Sequence, residues 1–120
     1  MGLRKMKKLF LIALLLFTNT VYAQDSVQQQ NSVDCGLWLK SRKTNSAQYL
    51  ETFLTGTVNG MALGAWIEIW RGTDGVLVSP EQLYFWMDNW CQKNPLKYTA
   101  EGTAVFADER TNGAFRNRLK

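Results

Sequence analysis

Ser79-Pro80-Glu81-Gln82-Leu83-Tyr84-Phe85-Trp86-Met87-Asp88-Asn89-Trp90-Cys91-Gln92-Lys93-Asn94-Pro95 carries both ends of a helix and one end of a covalent link. Ser79 stands where a helix cap is needed, and Pro80 suits the first helical position, which has no use for an N–H. Glu81 lies near the positive helix end, and Gln82 can bond back to the cap. Leu83, Trp86, Met87 and Trp90 then mark one face, so a helix is expected to about Lys93 with Cys91 at its end. Pro95 disfavours a helical Asn94 and suits a first turn itself, which predicts a stop followed at once by a new helix.

That last helix has Leu96, Ala100, Thr103 and Phe106 to Ala107 as its apolar stripe and ends near Asn112 and Gly113. Residues 114–120 read as a frayed basic tail. Upstream, Trp70-Arg71-Gly72-Thr73-Asp74-Gly75 predicts a turn, and Val76 to Val78 a short extended piece. The longest helix precedes this turn. Thr44, Asn45 and Ser46 are its start signal, with Asn45 and Gln48 as a capping box. Its stripe is Tyr49, Leu50, Phe53, Leu54, Val58, Met61, Ala65 and Ile69. Gly56, Gly60 and Gly64 share one face of it, each costing about 1 kcal/mol relative to Ala unless packing requires it. Tight packing inside the bundle is the expected use, and close approach by a partner is the alternative. A short helix with Asp34 as its cap is expected over Val33 to Lys43. Four helical stretches with short connections make a small all-α bundle, a single domain over residues 33–113 preceded by a polar lead-in at 24–32.

Residues 1–23 have the layout of a cleavable secretory signal: Arg4, Lys5, Lys7 and Lys8, an apolar run from Leu9 to Phe17, and small or neutral residues up to Ala23. Nine apolar residues fall short of the roughly 20 a spanning helix needs. The chain holds fourteen basic and ten acidic residues. Removing the leader takes away four basic residues and leaves ten against ten, with no basic surplus for nucleic acid. Export to the periplasm would place Cys35 and Cys91, the only cysteines, where disulfides persist, and only one intramolecular pairing exists. Closing that 57-residue loop restricts the unfolded chain by roughly 4 kcal/mol.

Chemistry is sparsely provided. With no His in 120 residues, the commonest general base is absent and no metal-ligand spacing remains. Asp108 and Glu109, the adjacent acids examined as a catalytic pair, point apart on a helix and read as a solvated face. No phosphate-binding loop is present. The expectation is a non-enzyme with no metal and no cofactor. Aromatic residues stand out instead: five Trp fall in a domain too small to bury every ring. Trp86 and Trp90 are expected in the core. Trp66, Trp70, Arg71 and Asp74 are the candidate partner-binding residues, because Trp and Arg concentrate binding energy at interfaces. For Trp66 and Trp70 the core remains an equal alternative.

Cys35-Gly36 followed by Trp38, Tyr49-Leu50 through Leu54, Gly56, Gly60, and Trp86-Met87-Asp88-Asn89-Trp90-Cys91-Gln92-Lys93-Asn94-Pro95-Leu96 together resemble the Tai-type immunity proteins of type VI secretion amidase effectors. These are related in fold to the HdeA acid-stress chaperones. The resemblance spans roughly residues 34–110. It implies an HdeA-like helical domain, a Cys35–Cys91 disulfide and a periplasmic protein whose partner is another protein, here a peptidoglycan amidase effector. A homodimer is a further option. Two other functions stay open: an acid-stress chaperone, driven open by the positive charge left when the carboxylates are neutralised, and an accessory protein of a conjugation or secretion system.

Overall fold

The computed structural model of the chain describes residues 33–120; the expected signal peptide and polar lead-in lie outside the described residues. The fold is all-α. Among the described residues five helices follow one another: α1 Cys35–Lys43, α2 Gln48–Ala65, α3 Pro80–Lys93, α4 Thr99–Arg110 and α5 Ala114–Arg118. α1 packs on α3, α2 on α4 and α3, α3 on α4, and α4 on α5. The core gathers Trp38 from α1, Leu54 and Val58 from α2, Leu83 and Met87 from α3, and Phe106 and Ala107 from α4, with Ile69 and Phe115 closing it.

Cys35 and Cys91 are joined, their Cα atoms 5.0 Å apart and both residues fully buried. The bond ties the start of α1 to the end of α3. It is not the sole anchor of α1. The Trp38 indole is buried and donates to Asp88 Oδ1 at 2.8 Å. The backbone around Cys35 is also stitched to the segment before α4, through Cys35 N to Lys97 O at 2.9 Å and Thr99 N to Val33 O at 2.8 Å.

A polar knot sits beside this staple. Arg42 of α1 donates to both Asp88 carboxylate oxygens on α3 and to Glu51 Oε1 on α2, each pairing reaching 2.8 Å. Its guanidinium also lies 5.7 Å from the Trp38 ring centroid and 5.6 Å from that of Phe85. The Asp88 hydrogen bonds hold the Arg42 pKa above its ordinary value against the opposing pull of burial, with Glu51 adding to the rise. A raised basic group stabilises the fold at every pH below its unfolded pKa, and that contribution is lost only as pH climbs through the folded value. Arg42 therefore stays charged and bonded throughout the neutral range.

The helix starts divide sharply between those encoded locally and those that are not. Asp34 caps α1 through Leu37 N at 2.7 Å. Ser79 and Gln82 form the expected reciprocal box on α3, at 3.2 and 2.8 Å. The box expected from Asn45 and Gln48 does not form: Ala47 is the cap residue of α2 and makes no side-chain bond. Thr44 to Ser46 instead finish α1. Thr44 Oγ1 accompanies Lys40 O and Ser46 Oγ, Ser46 N returns to Ser41 O, and Asn45 takes the left-handed conformation, φ 52°, that Asn tolerates.

The last helices also differ from expectation. α4 begins at Thr99 and not at Pro95, because Asn94 to Lys97 close a turn and Tyr98 runs extended beside Asp34. Leu96, expected in the apolar stripe, is 95% exposed. The presumed frayed tail contains α5, whose Phe115 is buried and whose amide donates to Thr111 Oγ1. Asp108 accepts from Arg116 of that helix, and Glu109 accepts from the Trp86 indole at 3.0 Å, so each acid holds a neighbour in place. Trp86 and Trp90 are half-buried against the core and stack 6.3 Å apart, with Phe106 edge-on to Trp86. Gly102 is demanded by this packing: a Cβ there would fall 2.8 Å from Met87 and from the Trp90 ring.

Candidate functional site: a clamped loop between α2 and α3

α2 ends one turn earlier than its apolar spacing suggested. Ala65 is its last residue, and Trp66 adopts a left-handed backbone, φ 51° and ψ 53°, while Ile67 N bonds Ala62 O at 3.0 Å. Glycine or asparagine ordinarily takes this place, since a bulky side chain there carries strain. The Trp66 side chain gains little from the fold in return, being 78% exposed beside a shallow groove lined by Ala62, Leu63, Ile67 and Glu68. The apolar rhythm continues to Ile69 only because the chain, now outside the helix, drops Ile69 into the core.

The segment from Trp70 to Val78 folds back on itself. Arg71 and Leu77 form an antiparallel bridge, Val78 N bonds Trp70 O at 3.0 Å, Gly72 N bonds Val76 O at 3.1 Å and Gly75 N bonds Gly72 O at 2.9 Å. Gly75 takes φ 80°, a conformation that suits glycine. Asp74 Oδ1 accepts from Val76 N at 2.9 Å, and Glu68 Oε1 from Arg71 N at 2.7 Å. Asp and Gly in this order were the visible sign of the turn.

The loop is also held by a residue the sequence did not single out. Arg110, the last residue of α4, reaches under the loop. Its guanidinium donates to the carbonyls of Trp70 and Val76 and lies 3.6 Å from Asp74, while Arg110 O accepts from Thr73 N at 3.1 Å. Gly72 makes room for it, since a Cβ there would come within 2.6 Å of the guanidinium. The Arg110 Nε is buried without a partner, so the clamp carries a desolvation cost that its other bonds must offset. No periodicity or motif marks an Arg at a helix end as a loop clamp.

The four candidate contact residues thus separate. Arg71 and Asp74 sit together on the exposed rim of the loop. Arg71 Nη1 donates to Gly75 O at 3.0 Å, and the Asp74 side chain is 58% exposed. Trp70 turns inward, donating its indole N–H to Asn59 at 2.7 Å and meeting Phe106 edge-on at 6.4 Å, so it supports the loop from below. Trp66 stands outside the loop on the end of α2. Val76 and Leu77, read from the sequence as part of a short extended piece, are 53% and 60% exposed at the loop's second strand-like arm.

Among the described residues no group of His, Cys, Asp and Glu is placed to hold a metal ion, and no helix is long and apolar enough to cross a membrane. No protein-family model, curated protein or solved structure matches the chain.

Proposed function

We propose that this domain acts by binding another protein through the clamped loop, and that it does so as an exported immunity protein that occludes the cleft of a cell-wall amidase. The observation that carries this reading is the pairing of exposed Val76 and Leu77 with a backbone already fixed by Arg110. A loop ordered before contact loses little conformational freedom on binding, so apolar side chains on it convert more of their burial into affinity. Arg71 and Asp74 on the rim supply charged groups that fix orientation. The disulfide accords with an oxidising compartment, and the Tai-type resemblance supplies the class of partner.

The test uses the cell-wall amidase encoded nearest to this gene and follows its hydrolysis of purified peptidoglycan. The native protein is expected to inhibit at equimolar ratio. Leu77→Asp is expected to weaken inhibition at least tenfold, or about 1.4 kcal/mol, with an unchanged melting temperature. Failure of the native protein to inhibit would overturn the amidase reading. Full potency of Leu77→Asp would remove the loop from it. Suppression of client aggregation in acid, without a retained partner at neutral pH, would favour the chaperone alternative, and a surrounding transfer operon the accessory one.

A further inference from the structure

A cleft between α3 and α4, at the foot of the clamped loop, has no part in the loop's proposed role. It encloses about 300 Å³ and is lined by Val78, Gln82, Trp86, Phe106, Glu109 and Arg110. That volume lies at the small end of ligand sites, and an apolar lining with a few convergent polar groups is their usual make-up. Phe106 is buried and stands edge-on to Trp86, the ring centroids 5.3 Å apart. Trp86 is half-buried, and Trp90, four residues on, stacks against it with the two rings within 11° of parallel. Gln82, four residues back on the same face of α3, stands on the other side of Trp86, which leaves the ring's second face for the cleft.

Each polar group of the lining is held by the fold through part of its hydrogen-bonding capacity and keeps the rest unspent among the described residues. Glu109 Oε2 accepts from the Trp86 indole at 3.0 Å, which fixes ring and carboxylate on each other and leaves Oε1 as an acceptor. Gln82 Oε1 accepts from Ser79 N at 2.8 Å, which leaves the amide N–H groups as donors. Arg110 reaches the loop through Nη2 alone, and its Nη1 remains a second donor. The charges of Glu109 and Arg110 oppose each other, so the cleft favours an uncharged ligand over an anion or a cation.

An uncharged ligand that can meet an aromatic face while offering donors and acceptors around its edge is a sugar ring, whose C–H groups make an apolar face and whose hydroxyls make a polar rim. We infer that this cleft binds one N-acetylhexosamine unit of a glycan. The pyranose ring lies on Trp86, a hydroxyl donates to Glu109 Oε1, and the acetamido carbonyl accepts from Arg110 Nη1 and from the Gln82 amide. The acetamido methyl rests on Val78 and Phe106, a contact that a plain hexose lacks. Trp86, Glu109 and Arg110 are held in place before contact, so little order is lost on binding. A sugar unit of about fifteen non-hydrogen atoms, at the per-atom efficiency of ordinary ligands, gives a Kd on the order of a millimolar.

The test is titration of the whole oxidised chain with N,N′,N″-triacetylchitotriose, up to about 10 mM so that a millimolar site fills, followed by NMR at the tryptophan indole N–H resonances. The Trp86 resonance is expected to shift saturably, because the acceptor of its N–H is the carboxylate that takes the hydroxyl. Maltotriose, which has the hydroxyls but no acetamido group, is expected to bind at least fivefold more weakly. Two variants keep the bonds of the fold and remove those to the ligand. Glu109→Gln retains an oxygen for the Trp86 indole and loses the spare acceptor, and Gln82→Glu retains the cap of α3 and loses the donor. Each is expected to raise the Kd severalfold with an unchanged melting temperature. An unmoved Trp86 indole at the highest concentration, equal affinity for maltotriose, or native affinity in either variant would overturn the assignment. No amidase enters this titration, so failure of the cleft to bind sugar and failure of the loop to inhibit are read separately.

Discussion

Two tryptophans four positions apart, indistinguishable in the sequence, have opposite relations to the fold. Trp66 occupies a left-handed backbone position with most of its ring in water. Trp70 is hydrogen-bonded to Asn59 and braced on Phe106. Replacing Trp66 by Gly removes the strain of a side chain in that conformation, and the domain is expected to gain up to about 1 kcal/mol, a rise of several degrees in calorimetric melting. If Trp66 touches the partner, the same variant binds more weakly, a stability gain with a functional loss. Trp70→Ala is expected to cost roughly 3 kcal/mol in denaturant unfolding, because it empties the space beneath the loop. A loss of binding in that variant would therefore report on the fold first. Spacing could not make this distinction, since both rings fall beside a helix end that the apolar rhythm ran straight through.

At the level of elements, what was legible was whatever is encoded within four residues. Asp34 and the Ser79–Gln82 box cap their helices as expected, and α3 ends at Lys93 where Asn94 and Pro95 require it. Signals open to two local readings went the other way. Thr44 to Ser46 close α1 and do not open α2, and Pro95 starts a turn and not a helix. The α2 stripe mixed two faces, because Tyr49 and Phe53 are as apolar as Leu54 and Val58 yet point outward. The glycines on that outward face give a direct check on the element. Gly64→Ala is expected to raise stability by about 0.5–1 kcal/mol in urea unfolding, since a methyl group there meets open space. A decrease would mean that the position is packed inside the bundle after all.

Across the whole molecule, three long-range devices act together, and only one could be found without coordinates. The Cys35–Cys91 bond was legible because two cysteines permit one pairing. The Arg42 knot joining α1, α2 and α3, and the Arg110 clamp holding the loop to α4, depend on which charged residues meet after the helices pack. With α1 bonded to α3 and the loop bonded to α4, the surface from Arg71 to Leu77 is tied to the bundle, and such ordering before contact is the property that the proposed binding role requires. Amide hydrogen exchange of the whole oxidised chain reads that property directly. The account predicts that Gly72, Thr73 and Val78 are protected in the native protein and exchange at least tenfold faster in Arg110→Ala, while the α3 and α4 cores stay protected in both. Native loop amides exchanging at the rate of an unstructured peptide would contradict it.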